Sequence, residues 1–284
     1  MSLATTIPEE VAAQVIELAR SGRSPDALMR PLLDLGWNEE TAGEAVESLI
    51  RDYLEQHARE NALPVPVPVP APIESNGSAV IELPDRRVQV VASLLLPRVV
   101  VFGGLLSQEE CDALIAHARP RLRRSQTLNL DTGADEDHAA RTSEGMMFQR
   151  GETELCRRIE SRIAALLDWP LENGEGLQVL RYGPGAQYEP HYDYFDPDRD
   201  GTGATLARGG QRIATVVMYL NTPERGGATV FPDANFEAGA VCGNAVFFSY
   251  DRPHPISRTL HGGAPVLAGE KWILTKWLRE RRHD

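Results

Sequence analysis

His191 and Asp193 stand one residue apart in the run Tyr188-Glu-Pro-His-Tyr-Asp-Tyr194. Side chains of a strand alternate between its faces, so this spacing predicts an imidazole and a carboxylate on one face and Tyr192 on the other. Taken alone, a His-x-Asp pair is weak evidence, since it is more often a solvated strand pair than a site. His261, on the approach to the last strand, offers a third donor. Two histidines and a carboxylate on a β scaffold suit non-haem Fe(II) with open coordination positions, and the same residue types also bind zinc. Lys271, ten residues after His261 and set among Trp272, Ile273 and Leu274, tips the balance. Burying an ammonium in so apolar a strand is costly unless an anion meets it, so a negatively charged cosubstrate beside the metal accounts for the lysine better than a side chain that snorkels to solvent. The chain has 27 arginines and only two lysines, Lys271 and Lys276, so a position that keeps lysine calls for a compact point charge. His254, seven residues before His261, competes for the role of distal donor. Flanked by prolines in Asp251-Arg-Pro-His-Pro, it reads instead as a turn histidine. His57, His117, His138 and His283 have no partner pattern and read as surface residues.

The elements that must position these groups follow from periodicity. From residue 177 onward, short β runs alternate with Gly and Pro turns: Leu177 to Tyr182, Tyr188 to Tyr194, Ile213 to Leu220, Ala228 to Phe231, Ala245 to Tyr250 and Trp272 to Trp277. Many short strands without intervening helices predict a jelly-roll double sheet. Ahead of them, Ser107 with Glu110 opens a helix ending near Pro120, and Leu155, Ile159, Ile163 and Leu166 mark a second; both are expected to brace the sheet. Residues 6 to 60 predict three short helices. The first starts at Thr6 with Glu9 in capping-box spacing and ends at Gly22; the second has Ser24 as cap, Pro25 at its first position and Gly36 at its close; the third is capped by Asn38. The stretch Leu63 to Pro72 alternates Pro with Val or Ala and favours an extended spacer. The expected organisation is therefore a three-helix bundle at 1–60, a linker at 61–78 and a catalytic domain at 79–284. Its fold class is mainly β with supporting helices, a double-stranded β-helix (jelly roll) preceded by that bundle.

Composition narrows the function classes. With 284 residues, 42% of them hydrophobic and 25% charged, the chain can build a proper core, which excludes wholesale disorder. A net charge of −12 works against phosphate backbones, so no nucleic-acid partner is expected despite the basic cluster Arg119 to Arg124. Segment 1–60 carries 5 arginines against 12 acids and reads as a docking module for an unknown partner, or equally as a solubilising or dimerising appendage. Cys111, Cys156 and Cys242 are spread along the chain and leave one over in any pairing, so neither a metal knuckle nor a disulfide framework is expected. Glu9 and Glu10 stand where a signal peptide would be basic and then apolar, and the most apolar later stretch breaks at Pro97 and Arg98; no membrane span is expected, and the reducing cytoplasm is the expected setting.

Several runs together resemble the prolyl 4-hydroxylases of the Fe(II)/2-oxoglutarate dioxygenase superfamily: Tyr188-Glu-Pro-His-Tyr-Asp-Tyr-Phe195, Gly210-Gln-Arg-Ile-Ala-Thr215, Met218-Tyr-Leu-Asn221, Gly226-Gly-Ala-Thr-Val-Phe-Pro232 and Leu260-His-Gly-Gly-Ala-Pro-Val266, with Lys271-Trp272 and Lys276-Trp277. The resemblance covers about residues 95 to 280 and leaves out the helical unit and the tether. It implies that His191, Asp193 and His261 ligate Fe(II), that Lys271 pairs with the distal carboxylate of the cosubstrate 2-oxoglutarate, and that Thr229 and Tyr182 hydrogen-bond the same carboxylate. Arg212, Tyr188 and Trp277 match positions associated with a peptide substrate, where an aromatic face beside a guanidinium suits a proline ring and its carbonyl. The implied reaction consumes O2, with ascorbate as reductant, and hydroxylates proline in a protein or peptide. The polar segments Asp131 to Gly145 and Asp196 to Gly210 are long enough to close over it. Lacking the leader and cysteine pattern of secreted collagen-modifying relatives, the chain is expected to act in the cytoplasm. A related oxygenase acting on a free amino acid or small metabolite would keep the same iron and cosubstrate residues, and a metal-holding module without turnover would not need Lys271.

Overall fold

A computed structural model describes residues 7–73, 78–124, 127–128, 135–136, 143–197, 199 and 201–283. The chain divides into two compact units, Met1–Val65 and Pro66–Asp284.

The first unit holds α1 (Glu9–Arg20), α2 (Pro25–Leu33) and α3 (Glu39–Glu60), closed around Val15, Leu28, Leu32, Ala42 and Val46. Ser24 and Asn38 cap α2 and α3 as expected, their side chains accepting from Ala27 N–H and Thr41 N–H. Two readings change. Thr6 lies outside the described residues, and α1 begins after Pro8 without a side-chain cap. The third helix is not short: it runs 22 residues, because beyond Gly43 no breaker occurs before Asn61 and the pairs Glu47–Arg51 and Glu55–Arg59 tie successive turns.

The second unit is built on strands β1 (Val80–Glu82), β2 (Arg87–Leu94), β3 (Arg98–Gly103), β4 (Arg123–Arg124), β5 (Thr127–Leu128), β6 (Asp135–Glu136), β7 (Glu144–Phe148), β8 (Gly174–Tyr182) and β9 (Tyr188–His191). It continues with β10 (Arg212–Tyr219), β11 (Arg225–Gly226), β12 (Thr229–Phe231), β13 (Phe236–Ala238), β14 (Ala245–Ser249), β15 (His261–Gly263), β16 (Val266–Ala268) and β17 (Lys271–Arg279). Nine of them form an antiparallel sheet in the order β1-β2-β3-β14-β10-β17-β8-β7-β4, and four form a smaller one, β13-β12-β15-β9. This is the expected double sheet. Alternation sorts its side chains: Ala214, Val216 and Met218 of β10, with Trp272, Leu274 and Leu278 of β17, join the core under helices α4 (Gln108–Ala118) and α5 (Glu154–Leu167), whereas Val217, Tyr219 and Ile273 join the core shared with Phe231 and Ala238 of the smaller sheet. Ser107 and Glu110 form the predicted capping box of α4. Buried Arg162 of α5 donates to Glu110 of α4 and to Asp85, locking the two helices to each other and to the β1–β2 turn.

The proline-rich stretch is not a spacer along its whole length. Val67 N–H donates to Asp251 O and Ile73 N–H to Leu166 O, so from Pro66 onward it lies on the β unit. The three cysteines are free, although Cys111 and Cys242, far apart in sequence, come together beside the consecutive carbonyls of Tyr219 and Leu220.

Candidate active site

Strands β9 and β15 pair with His261 directly opposite His191, so cross-strand register, not sequence proximity, brings the two rings to a centroid separation of 4.4 Å. Each ring donates Nδ1–H to a backbone carbonyl two residues before it, His191 to Glu189 O at 2.9 Å and His261 to Thr259 O at 3.0 Å. A carbonyl only accepts; both rings are therefore protonated at Nδ1 and turn Nε2 toward the space between them. Asp193 lies between them, Oδ1 3.6 Å from His191 Nε2 and Oδ2 3.5 Å from His261 Nε2. The three donor atoms lie within 4.8 Å of one another. N2O donors gathered at this spacing fit a divalent metal.

The surroundings keep the donors in their ligating forms. Burial pushes His261 down to about 4, so it is neutral at physiological pH. Burial opposes ionisation of Asp193, but the rings of His261 and His191, with Arg212 behind them, hold its carboxyl well below the ordinary range. Thr215 Oγ1–H donates to Asp193 Oδ2 at 2.7 Å; its single proton being used, Tyr250 Oη–H donates to Thr215 at 3.1 Å. Tyr188 stacks on His191 at 3.8 Å and Phe248 packs on His261 at 4.4 Å, fixing both rings.

One correction concerns this stretch. Strand β9 ends at His191 and Asp193 sits in the bend that follows, so alternation lapses and Tyr192 does not face away. It lines the same cavity as the donors and stacks on Tyr194 at 4.8 Å.

That cavity, about 570 Å³, also takes in Lys271, Tyr182, Thr229, Arg212, Tyr188 and Trp277, so every residue singled out from the sequence reaches it. Lys271 is 3% exposed and, among the described residues, has no carboxylate against it; the rings of Tyr182 and Tyr219 lie 5.6 and 5.8 Å from Nζ. Burial pushes it down to about 8. Room for its stem comes from Gly227, where a Cβ would stand 3.1 Å from Lys271 Cδ. An unmatched buried ammonium in a cradle this tight fits the carboxylate of an anionic cosubstrate. Beside it, Tyr219 Oη–H donates to Thr229 Oγ1 at 2.8 Å, which leaves the threonine proton to be given to that anion.

On the other flank Arg212 is bound bidentately by Glu175, at 2.7 and 2.8 Å, with its guanidinium 4.0 Å over Trp277 and 4.7 Å over Phe195. Burial would raise Glu175, but Arg212 and Arg279 hold it down to about 2. Trp277 Nε1 is buried with no partner among the described residues. Sequence reading missed Glu175, Thr215, Tyr219 and Tyr250. Thr215, Tyr219 and Tyr250 lie inside runs already singled out, and Glu175 carried no local signal.

His254 is the turn residue expected: its Nδ1 accepts from Ile256 N–H at 3.1 Å. His283 departs from the surface reading, being half-buried and lining the cavity. His138 and most of Asp131 to Gly145 lie outside the described residues, and the other polar segment carries a short helix, α6 (Thr202–Ala207).

Comparison with known proteins agrees with this geometry. The profile of the 2OG-Fe(II) oxygenase superfamily matches residues 177–279. Probable prolyl 4-hydroxylase 3 of Arabidopsis thaliana is 41% identical over 203 residues, covering 64% of this chain and 69% of the relative. Prolyl 4-hydroxylase 5 of the same plant is 43% identical over 202 residues, covering 64% and 68%. Among solved structures, a viral collagen prolyl hydroxylase from Paramecium Bursaria Chlorella virus-1, in complex with 2-oxoglutarate, superposes with a TM-score of 0.50 at 31% identity, covering 64% of this chain and 95% of that one.

Proposed function

Since the chain belongs to the prolyl 4-hydroxylase family of 2OG-Fe(II) oxygenases, we propose that it hydroxylates prolyl residues of a protein or peptide, with Fe(II) as metal and 2-oxoglutarate as cosubstrate. The observation that carries this reading is the placing of a His-Asp-His donor set and an unmatched buried ammonium on one cavity.

In this reading His191, Asp193 and His261 hold the metal, and Lys271 with Thr229 and Tyr182 holds the distal carboxylate of 2-oxoglutarate. Together, bound Fe(II) and 2-oxoglutarate supply the oxidation: O2 is divided between succinate, formed with loss of CO2, and a hydroxyl on the substrate carbon. The chain's own part is positioning and exclusion. The Tyr250–Thr215–Asp193 relay keeps the carboxylate ionised and oriented, and the two Nδ1–H bonds to strand carbonyls fix which ring nitrogen faces the metal. Tyr188, Trp277 and Arg212 form the substrate flank: two flat rings for the pyrrolidine, and the guanidinium for a peptide carbonyl. Glu175 binds the Arg212 guanidinium bidentately and holds its plane against Trp277, which fixes the shape of the flank.

Ascorbate as reductant and a reducing, cytoplasmic setting belong to the same proposal. The three free thiols support the latter.

The test is reconstitution with Fe(II) and 2-oxoglutarate, followed by air, in the presence of proline-containing peptides, free proline or neither. The expected result is peptide-stimulated succinate and a peptide heavier by one oxygen atom on proline. Oxygen gained by free proline and not by any peptide would replace the substrate assignment with the small-molecule one.

A further inference from the structure

Fifteen residues separate Phe195 from Gln211, and the chain between them leaves and re-enters the site through a pinched neck: Phe195 N–H donates to Gln211 Oε1, and Gln211 Nε2–H returns to Phe195 O, both at 2.7 Å. This segment joins the metal-site carboxylate Asp193 to the substrate flank at Arg212. Residues 201–210 of it carry α6, which ends on two carbonyls, that of Thr205, which takes Arg208 N–H at 3.3 Å, and that of Arg208 itself. Both accept from Arg279 Nη2, at 2.7 and 3.1 Å. The same guanidinium gives Nη1–H to Glu175 Oε1 at 2.9 Å, the oxygen that also accepts from Arg212 Nε. Phe195 is wedged between the two cations, its ring 4.7 Å from Arg212 Cζ and 5.0 Å from Arg279 Cζ.

Two guanidinium groups, Arg279 buried and Arg212 half-buried, thus share one carboxylate, and the second positive charge is met by the helix-end carbonyl dipoles of the segment. If the segment lifts, Arg279 loses those dipoles and its claim on Glu175 grows at the expense of Arg212. We propose that Arg279 is a positioning residue that fastens segment 201–210 to the Glu175–Arg212 pair, so that the segment's placement and the orientation of the Arg212 guanidinium change together. This rests on the reading of Arg212 as part of the substrate flank.

The experiment compares full-length wild type with R279Q, R279K and E175Q. Trypsin cleavage after Arg208 is timed against cleavage after Arg258, and peptide and 2-oxoglutarate kinetics are measured on the same preparations. R279Q should speed the cut after Arg208 about tenfold relative to the cut after Arg258, since local opening governs it. E175Q should speed it too, although Glu175 makes none of the bonds to the segment. Both variants should raise the peptide KM about tenfold and release succinate in excess of hydroxyproline, with the 2-oxoglutarate KM within about twofold of wild type. R279K, which keeps the charge but not the fork, should recover part of each loss. Three results would overturn the linkage: an E175Q segment as protected as wild type, an unchanged peptide KM in R279Q, or equal acceleration at Arg208 and Arg258, which would mean general loosening. Wild-type turnover of 2-oxoglutarate without proline hydroxylation would defeat the substrate reading alone, and the cleavage ratios would still decide the linkage.

Discussion

Strand β17 carries both lysines of the chain, five residues apart, and its two faces treat them in opposite ways. Lys276 faces the helices. Its Nζ donates to Glu160 of α5 at 2.8 Å and to the carbonyl of Glu175, and side chains of both partners of the ion pair are at most 2% exposed. Lys271 faces the cavity, as deeply buried, with rings about it and no carboxylate among the described residues. The same residue type in one strand thus closes a charge balance on one side and leaves it open on the other. A completed buried pair is structure; an ammonium held ready without an anion marks the place where a ligand supplies the missing charge.

The comparison can be broken most severely at the metal. His191→Ala or Asp193→Ala should lower succinate formation by at least about a thousandfold, with the melting curve retained, because a donor is lost from a pocket that folds without it. Wild-type rates in either variant would remove the donor assignment. Next comes the helix face: Lys276→Met strands Glu160 and should cost about 3 kcal/mol in urea unfolding while the 2-oxoglutarate KM stays put. The identical change on the cavity face, Lys271→Met, should do the reverse. It should raise the 2-oxoglutarate KM about a hundredfold, partly overcome by excess cosubstrate, with a melting temperature within about 2 °C of wild type. Lys271→Arg should also be impaired, since a planar fork does not fit a cradle cut for a point charge.

The smallest effect is in pH. Burial lowers Lys271 to about 8, and the protonated form is the one that attracts the carboxylate, so 2-oxoglutarate affinity in the free protein should be flat below that pH and weaken as pH rises through it, approaching tenfold per unit. Calorimetric titration from pH 7 to 9.5 would measure it; affinity that holds or improves over that range contradicts the assigned charge state.

Why some of this was legible in sequence and some not follows from how each residue is placed. His191, Asp193 and Lys271 could be read because a metal pair one residue apart and a lysine in an apolar strand are local signals. Tyr219, Glu175 and Arg279 could not, since each becomes functional only through partners set by strand pairing: β10 and β8 both flank β17, which lays Tyr182 opposite Lys271 and brings Glu175 to Arg212 and Arg279. Where the strand ended mattered too. Alternation placed Tyr192 on the wrong side because it assumed a strand through Tyr194, and the bend at Asp193 is what gathers Tyr192 and Asp193 into one cavity. Strands β2 and β3 went unread for a different reason: β3 is buried on nearly every residue, so it shows a continuous apolar run with no period to recognise.

The most direct test of the two-faced reading is the 2-oxoglutarate dependence of succinate formation in wild type, Lys271→Met and Lys276→Met, each loaded anaerobically with Fe(II) and then given air and a proline-containing peptide. The account predicts that Lys271→Met alone shifts the saturation curve, by about two orders of magnitude, while Lys276→Met follows wild type until it unfolds. Curves that shift equally in both variants, or in neither, would contradict it.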